Sequence, residues 1–442
     1  MELIFSLIII GLSIAGMIYF IIFLPKVKIG KYSFDTFYWS PLVGAIILLI
    51  FNLLNGSIFF NALISNDSIN PLKILCLFLS MTCLSVVLDE VGLFKFLAEF
   101  VLKYSKNSQM SVFIVLYITV SFLTIFTSND IIILTFTPFI IFFAKNAKIS
   151  PIPYLVEEFV AANTFSMLFI IGNPTNIYLA TSFNVTFFEY LSVMWLPTIF
   201  AGLTAFIVLL LIFYKQLKKP IQPVFEEVHI IDKPILIVGL IGLIGATILL
   251  IISSYIGLEM YLICLISALL VLLFMGGYSL VIYLRKKKLT QIYLFFNSVK
   301  RLPYTLIPFL LSMFAFVLCL NQYGVFDVVA KAFSNVEAIF VYGITSFMSA
   351  NLINNIPMSV LFANLVSASD TTIQLKALYA SVIGSNIGAY LTPIGALAGI
   401  MWMSILKKHE VKFSFLQFVA YGTIVSIPTL FAALGGLAIT LL

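Results

Sequence analysis

The sequence predicts an all-α polytopic membrane protein, an inverted repeat of two five-helix units, each with a re-entrant hairpin and a broken helix. Three observations predict it. The chain has 442 residues, 62% of them hydrophobic and 10% charged, with a mean hydropathy of +1.16, which is more apolar surface than a soluble domain can cover. Its apolar runs reach spanning length from end to end and are continuous rather than alternating, which selects helices over a barrel. Polar residues interrupt those runs at matching places in the two halves, and duplicated breaks inside spanning segments point to a central binding site of the kind transporters use.

The first run, residues 3–24, follows Glu2 rather than a basic n-region and is too long for a signal-peptide core, so it reads as a retained helix. Further helices are expected at 38–55, 71–91, 155–180 and 188–214, with a hairpin over 110–145. The second half repeats the plan at 234–254, 257–280, 303–320, 374–404 and 413–441, with a hairpin over 338–366. That makes ten spanning helices and two hairpins: residues 1–214 form the first repeat, 234–442 the second, and 155–180 and 374–404 are the broken helices. Residues 215–233, with Lys218, Lys219, Pro220, Pro223, Glu226, Glu227 and His229, read as a cytoplasmic linker. The basic and aromatic stretch 281–302 reads as a helix lying on the inner leaflet.

Orientation follows from lysine and arginine. With the N-terminus outside, the cytoplasmic side receives 21 of the 24 basic residues, and only Lys73, Lys331 and Lys376 stay outside. The split requires both hairpins to re-enter on their own side, because a full crossing by either would swap every later loop. Each half then crosses five times, an odd number, so the second half sits inverted. The duplication is visible in the residues. Val87–Phe94 aligns with Cys319–Phe326 at an offset of 232, the hairpin tips align at 225 and the proline breaks at 219.

Four breaks carry the candidate site. Ser128-Asn129-Asp130 and Asn354-Asn355 interrupt the hairpins, while Asn173-Pro174-Thr175-Asn176 and Thr392-Pro393-Ile394-Gly395 interrupt the broken helices. A break at membrane depth frees backbone groups and helix ends that lipid cannot satisfy, so it must line a cavity or protein surface. The expected substrate-binding residues are Ser128, Asn129, Asn173, Thr175, Asn176, Asn354, Asn355, Ser385, Asn386 and Thr392. Neutral donors and acceptors without a tip arginine or lysine suit a small anionic or neutral oxo-species. Asp130 is the one tip carboxylate; a carboxylate so deep is costly when charged and exchanges a proton readily, so it is the expected proton-coupling group. Simple N-capping of the second arm is compatible with that role. Asp89 and Glu90 suit an interfacial helix end, or a share in the proton route. Glu157 and Glu158 suit dipole pairing at a helix start. Gly395 and Gly399 are spaced for close helix packing.

Cys76, Cys83, Cys264 and Cys319 are scattered without a CxxC pair and read as core residues. No Walker A loop, HExxH, GxSxG elbow or cluster of metal ligands occurs, so neither an enzyme, a cofactor nor a metal is expected. The net charge of +6 is explained by loop placement, not by nucleic acid. The expected partners are the bilayer of the cell membrane, the substrate, and protons, with sodium as the alternative ion. A homodimer and a cytosolic ATPase partner stay open.

At these motifs the chain resembles the ion transporter superfamily, and within it the ArsB-type arsenite/antimonite efflux permeases and their NhaD and CitMHS-like relatives. VLDEVGLFKFLAEFVL (87–102) is similar to that branch's acidic third-helix motif and FTSNDIIILTFTPFII (126–141) to its first hairpin. LYASVIGSNIGAYLTPIGALAGIMWMSILKKHEVKFS (378–414) is the nearest match. Two departures stand out: Asn386, with Tyr390 or Leu391, occupies places where the branch usually has Asp and Lys, and the first break reads GNPTN, nearer to citrate-transporter and NhaD-like relatives. The resemblance implies a scaffold, a mobile transport domain carrying both hairpins, and proton-coupled alternating-access transport of a small anion or metalloid oxyanion. The alternatives are citrate or dicarboxylate transport, sodium/proton antiport, or, from another class, a passive anion channel.

Overall fold

The computed structural model describes residues 1–24, 26–29, 32–65, 70–97, 108–221, 229–287, 289–333 and 337–442. Most of the linker's acidic centre, with Pro223, Glu226 and Glu227, and the basic residues Lys31, Lys103, Lys106 and Lys288 lie outside them. The first half comprises α1 (Glu2–Phe23), α2 (Trp39–Ile50), α3 (Gly56–Ile64), α4 (Pro71–Glu90), α5 (Gln109–Phe126), α6 (Asn129–Asn146), α7 (Ile152–Phe165), α8 (Pro174–Ser182) and α9 (Phe187–Leu217). The second half comprises α10 (Lys233–Ile256), α11 (Met260–Lys286), α12 (Thr290–Lys300), α13 (Leu306–Gln322), α14 (Val325–Phe333), α15 (Ala338–Ile353), α16 (Asn355–Ser367), α17 (Gln374–Gly388), α18 (Leu397–Lys408) and α19 (Phe415–Thr440). A short antiparallel hairpin, Lys26–Ile29 against Tyr32–Asp35, joins α1 to α2.

Local chemistry sets the boundaries. Asn70 accepts from the N–H groups of Leu72 and Lys73 with Pro71 at the first helical position, so α4 starts where an orphan donor needs a partner. Asp232 does the same for α10, and Thr186 with Glu189 forms a reciprocal capping box on α9. The helices α4 and α13 both end on a left-handed glycine, Gly92 (φ +88) and Gly324 (φ +67). In both, the glycine N–H donates to the carbonyl three residues earlier, Asp89 and Asn321. These are the aligned positions of the sequence repeat. After Gly324 the chain turns by 78° into α14.

Among the described residues eight helices are long and apolar enough to span a bilayer, nine if the bent pair α13–α14 counts as one. The membrane protein is multi-pass. Exposed Leu203, Ile207 and Leu211 on α9 and Ile237, Ile241, Ile244 and Ile248 on α10 form apolar stripes at helical spacing that suit lipid contact. Where broken helices are expected, at 155–180 and 374–404, the chain forms two helices each time, α7 and α8, and α17 and α18. The first hairpin's arms are 18 residues each, about 27 Å at 1.5 Å per residue, enough by length to cross. The second hairpin's arms, 16 and 13 residues, are too short to cross alone. Helix length therefore fits re-entry in the second half and leaves it open in the first.

Packing relations recur between the halves. The arms α5 and α6 lie on α7 as α15 and α16 lie on α17; α7 lies on α9 as α17 lies on α19. Across the halves, α6 rests on α18 and α16 on α8, while α9 and α19 run along each other. This arrangement brings both broken helices and both hairpins into one buried core.

Candidate functional site

The two broken helices meet through one asparagine. Asn386, near the end of α17, accepts at Oδ1 from Ser166 Oγ (2.8 Å) and Asn173 Nδ2 (2.9 Å), and donates to Asn176 Oδ1 (2.7 Å). Its remaining donor goes to the Val382 carbonyl. Asn176 donates to the Ser166 and Phe169 carbonyls, and Asn173 caps α8 by accepting from the Thr175 N–H. All three asparagines are at most 1% exposed, so their hydrogen bonds are with each other and with freed backbone. Sequence spacing identified the residues individually; the cross-link between repeats is a structural finding.

The first hairpin tip approaches the same place. Ser128 is the N-cap of α6 without making a cap bond, and Asn129 donates to Asn163 Oδ1 on α7 (2.9 Å). Asp130 sits in the first turn rather than at the cap, so pure N-capping does not describe it. It forms no ion pair among the described residues. Four buried polar atoms of the expected site have no hydrogen-bond partner among the described residues: Ser128 Oγ, Asn129 Oδ1, Thr175 Oγ1 and Ser385 Oγ. Such atoms are costly to bury unless something meets them.

The second tip is closed by its own chain. Asn354 holds the backbone at φ +74, ψ 151, a region glycine favours, and its Nδ2 donates to the Ile394 carbonyl. The Asn355 N–H donates to the Gly395 carbonyl. Thr392 is occupied too: its N–H and hydroxyl both donate to Asn351 Oδ1, and Asn351 donates to the Gly388 carbonyl. Asn351 was not singled out from sequence, although a lone amide three residues before Asn354 in an apolar run was the available signal. Gly395 and Gly399 face backbone within the second break, so they shape that break rather than a helix–helix contact.

A cavity of about 740 Å³ reaches Asp130. Its lining runs from Asp130, Ile131 and Leu134 on the first hairpin to Lys300, Arg301 and Lys408 at helix ends. Arg301 is held by α4: Nη2 donates to Asp89 (2.6 Å) and Nη1 to Glu90 (2.5 Å), while Thr135 of α6 donates to the other Asp89 oxygen. Burial pulls the guanidinium down, but the two carboxylates outweigh it and leave the arginine above its ordinary range, fully charged. Asp89 and Glu90 are thus partners of an arginine more than 200 residues away. Glu157 and Glu158 depart furthest from expectation, since both are fully buried inside the core rather than paired with a helix end at the surface.

Comparison with known proteins bears on this arrangement. The family described as CitMHS, Citrate transporter, matches residues 37–382. An arsenical pump membrane protein of Escherichia coli (strain K12) is 25% identical over 432 residues, covering 91% of this chain and 93% of that protein. One from Yersinia enterocolitica is 25% identical over 388 residues, covering 82% and 85%. A 46 kDa membrane protein of Mycobacterium leprae is 23% identical over 426 residues, covering 90% and 92%. The solved YdaH transporter of Alcanivorax borkumensis shares the fold, with a TM-score of 0.54 over 98% of this chain and 97% of that one at 13% identity.

Proposed function

The chain belongs to the CitMHS citrate transporter family, and from that premise we propose that it is a secondary active transporter of a small anion or oxyanion. It works by alternating access, exchanges substrate for protons at Asp130, and sits in the cell membrane with its N-terminus outside. The single observation that supports this most is the cavity lined by Asp130, the one carboxylate at a hairpin tip, which forms no ion pair among the described residues.

In this reading the substrate meets the buried polar atoms left over by the network: Ser128, Asn129, Thr175 and Ser385. Asn173, Asn176 and Asn386 hold the two broken helices so that their ends face one chamber. Asn354, Asn355 and Thr392 keep the second tip shut while the first is reached by the cavity. An inverted repeat makes the reverse arrangement available: the second tip opens when the first closes. Neutral hydroxyl and amide groups favour a weakly charged hydroxy-oxyanion, and the relatives named arsenical pump membrane proteins support an arsenical as that cargo. A citrate or dicarboxylate cargo is the second reading, favoured by the family's own description and by the GNPTN break.

The test is counterflow in proteoliposomes with arsenite, citrate, succinate and sodium, with and without a pH gradient. Accumulation of one anion that rises with the gradient is expected. Flux indifferent to the gradient, or conductance far above carrier turnover, overturns the coupling.

A further inference from the structure

We propose that Glu157 and Glu158 form a buried proton-binding pair, distinct from Asp130, that loads and unloads protons during the transport cycle proposed above. Both side chains are 0% exposed. Glu158 accepts from Thr137 Oγ1 at 3.0 and 3.1 Å, and the indole of Trp402, 1% exposed with no conventional partner for its N–H, lies against the same carboxylate. Both oxygens of Glu157 are buried without a hydrogen-bond partner among the described residues. Two adjacent carboxylates in an apolar core cannot both be ionised, because each would forfeit its hydration with no opposite charge to offset it.

Every element packed on α7 was a chance to supply a cation. From α5 comes Tyr117, whose hydroxyl donates to the Gly202 carbonyl. Tyr154 of α7 itself also borders Glu157, and Tyr390, in the break after α17, lies beside Thr164. From α6 comes Thr137 and from α18 Trp402. On α9, Tyr190 is spent on the Met167 carbonyl beyond the other end of α7, Glu189 closes the capping box with Thr186, and Tyr214 and Lys215 are exposed at the last turn. Among the described residues no lysine, arginine or histidine pairs with either glutamate. The partner of a buried carboxylate in such a setting is a proton.

Placement makes the proton useful. Glu158 lies against α6 and α18, which belong to different repeats, and Thr137 is seven residues beyond Asp130 on the same face of α6, about 10 Å along the helix. Ionising the pair would expel a charge into the contact between the first hairpin and the second broken helix. Protonation therefore favours the packed arrangement seen here, and loss of the protons favours its opening to water.

The test is infrared difference spectroscopy between acid and alkaline pH on the full chain in nanodiscs, in an Asp130→Asn background. A carboxylic-acid carbonyl band that titrates is expected, losing intensity in Glu157→Gln and again in Glu158→Gln. Trp402→Phe, which keeps both carboxyls, should shift only the Glu158 contribution. In proteoliposomes, flux of arsenite or citrate driven by a pH gradient should fall about tenfold in Glu157→Gln, the usual size of a coupling effect. A spectrum without a titrating buried acid, or one unchanged by both substitutions, overturns the pair. If the bands behave as expected but Asp130→Asn alone still couples flux to protons, the assignment of Asp130 fails and this one stands.

Discussion

Asp130 and Asn386 show how differently two polar residues can serve one core. Asp130 has a cavity at its side and no ion pair among the described residues, so the change that matters is chemical: Asp130→Asn keeps size and removes the proton. That substitution should abolish flux driven by a pH gradient while leaving folded protein in the membrane; equal transport across pH in the variant would refute the coupling role. Asn386 has every hydrogen-bonding atom used, so its change is structural. Asn386→Ala should cost about 2–4 kcal/mol, because it orphans several buried partners at ~1–3 kcal/mol each, more than the ~0.6 kcal/mol of one average hydrogen bond between membrane helices. A thermal-unfolding midpoint in detergent equal to wild type would count against the cross-link. The breaks next to both residues were legible because asparagine, serine and proline are costly inside an apolar run unless the helix stops there and the freed groups find partners. Glu157 and Glu158 were not legible, because helix position alone cannot tell an N-terminal carboxylate at the surface from one enclosed by α5, α6 and α18. The partners of Asp89 and Glu90 were equally hidden, since sequence gives no signal for an ion pair across 212 residues.

The elements divide into those fixed by their own residues and those fixed by a neighbour. Caps and glycines define α4, α8, α9, α10 and α13 locally, and these are the boundaries that sequence placed within a few residues. The helix α12 belongs to the second kind. It is only 11 residues long, too short to persist alone in water, and it buries Leu294 and Ser298, while exposing Tyr293 and Phe296. Gln291 donates to Asp232 and Arg301 clasps the end of α4. Of the stretch 281–302 expected as one interfacial helix, residues 281–286 continue α11, and only Thr290–Lys300 form a separate helix, anchored to protein. Arg301→Ala should release it at a cost of about 1–3 kcal/mol, chiefly from leaving the buried Asp89 with one partner fewer. The check is faster thiol labelling of a cysteine at Ser298, which is 0% exposed in the intact protein. Unaltered labelling in the Arg301 variant would show that apolar packing alone holds the helix.

At the scale of the whole molecule the question is orientation. Matching contacts relate α5–α9 to α15–α19, and matching left-handed glycines relate α4 to α13; neither fact says which way either half points. The proposal that they are opposed rests on charge: 21 of 24 basic residues fall on one side when each half crosses an odd number of times. The first hairpin is the weak point of that count, because its 18-residue arms are long enough to cross. If α5 and α6 crossed separately they would return the chain to its starting side, and the parity would be kept; if they joined as one crossing, it would be lost. Lys145, at the end of α6, and Thr371, just after α16, are both exposed and occupy corresponding places after the two hairpins. In whole cells a membrane-impermeant thiol reagent should label Thr371→Cys directly and Lys145→Cys only after permeabilisation. The native cysteines offer little background, three being buried and one partly so. Labelling of both sites from one side would mean the halves are parallel, and a pocket opened alternately by two opposed copies of one unit would no longer be available to this fold.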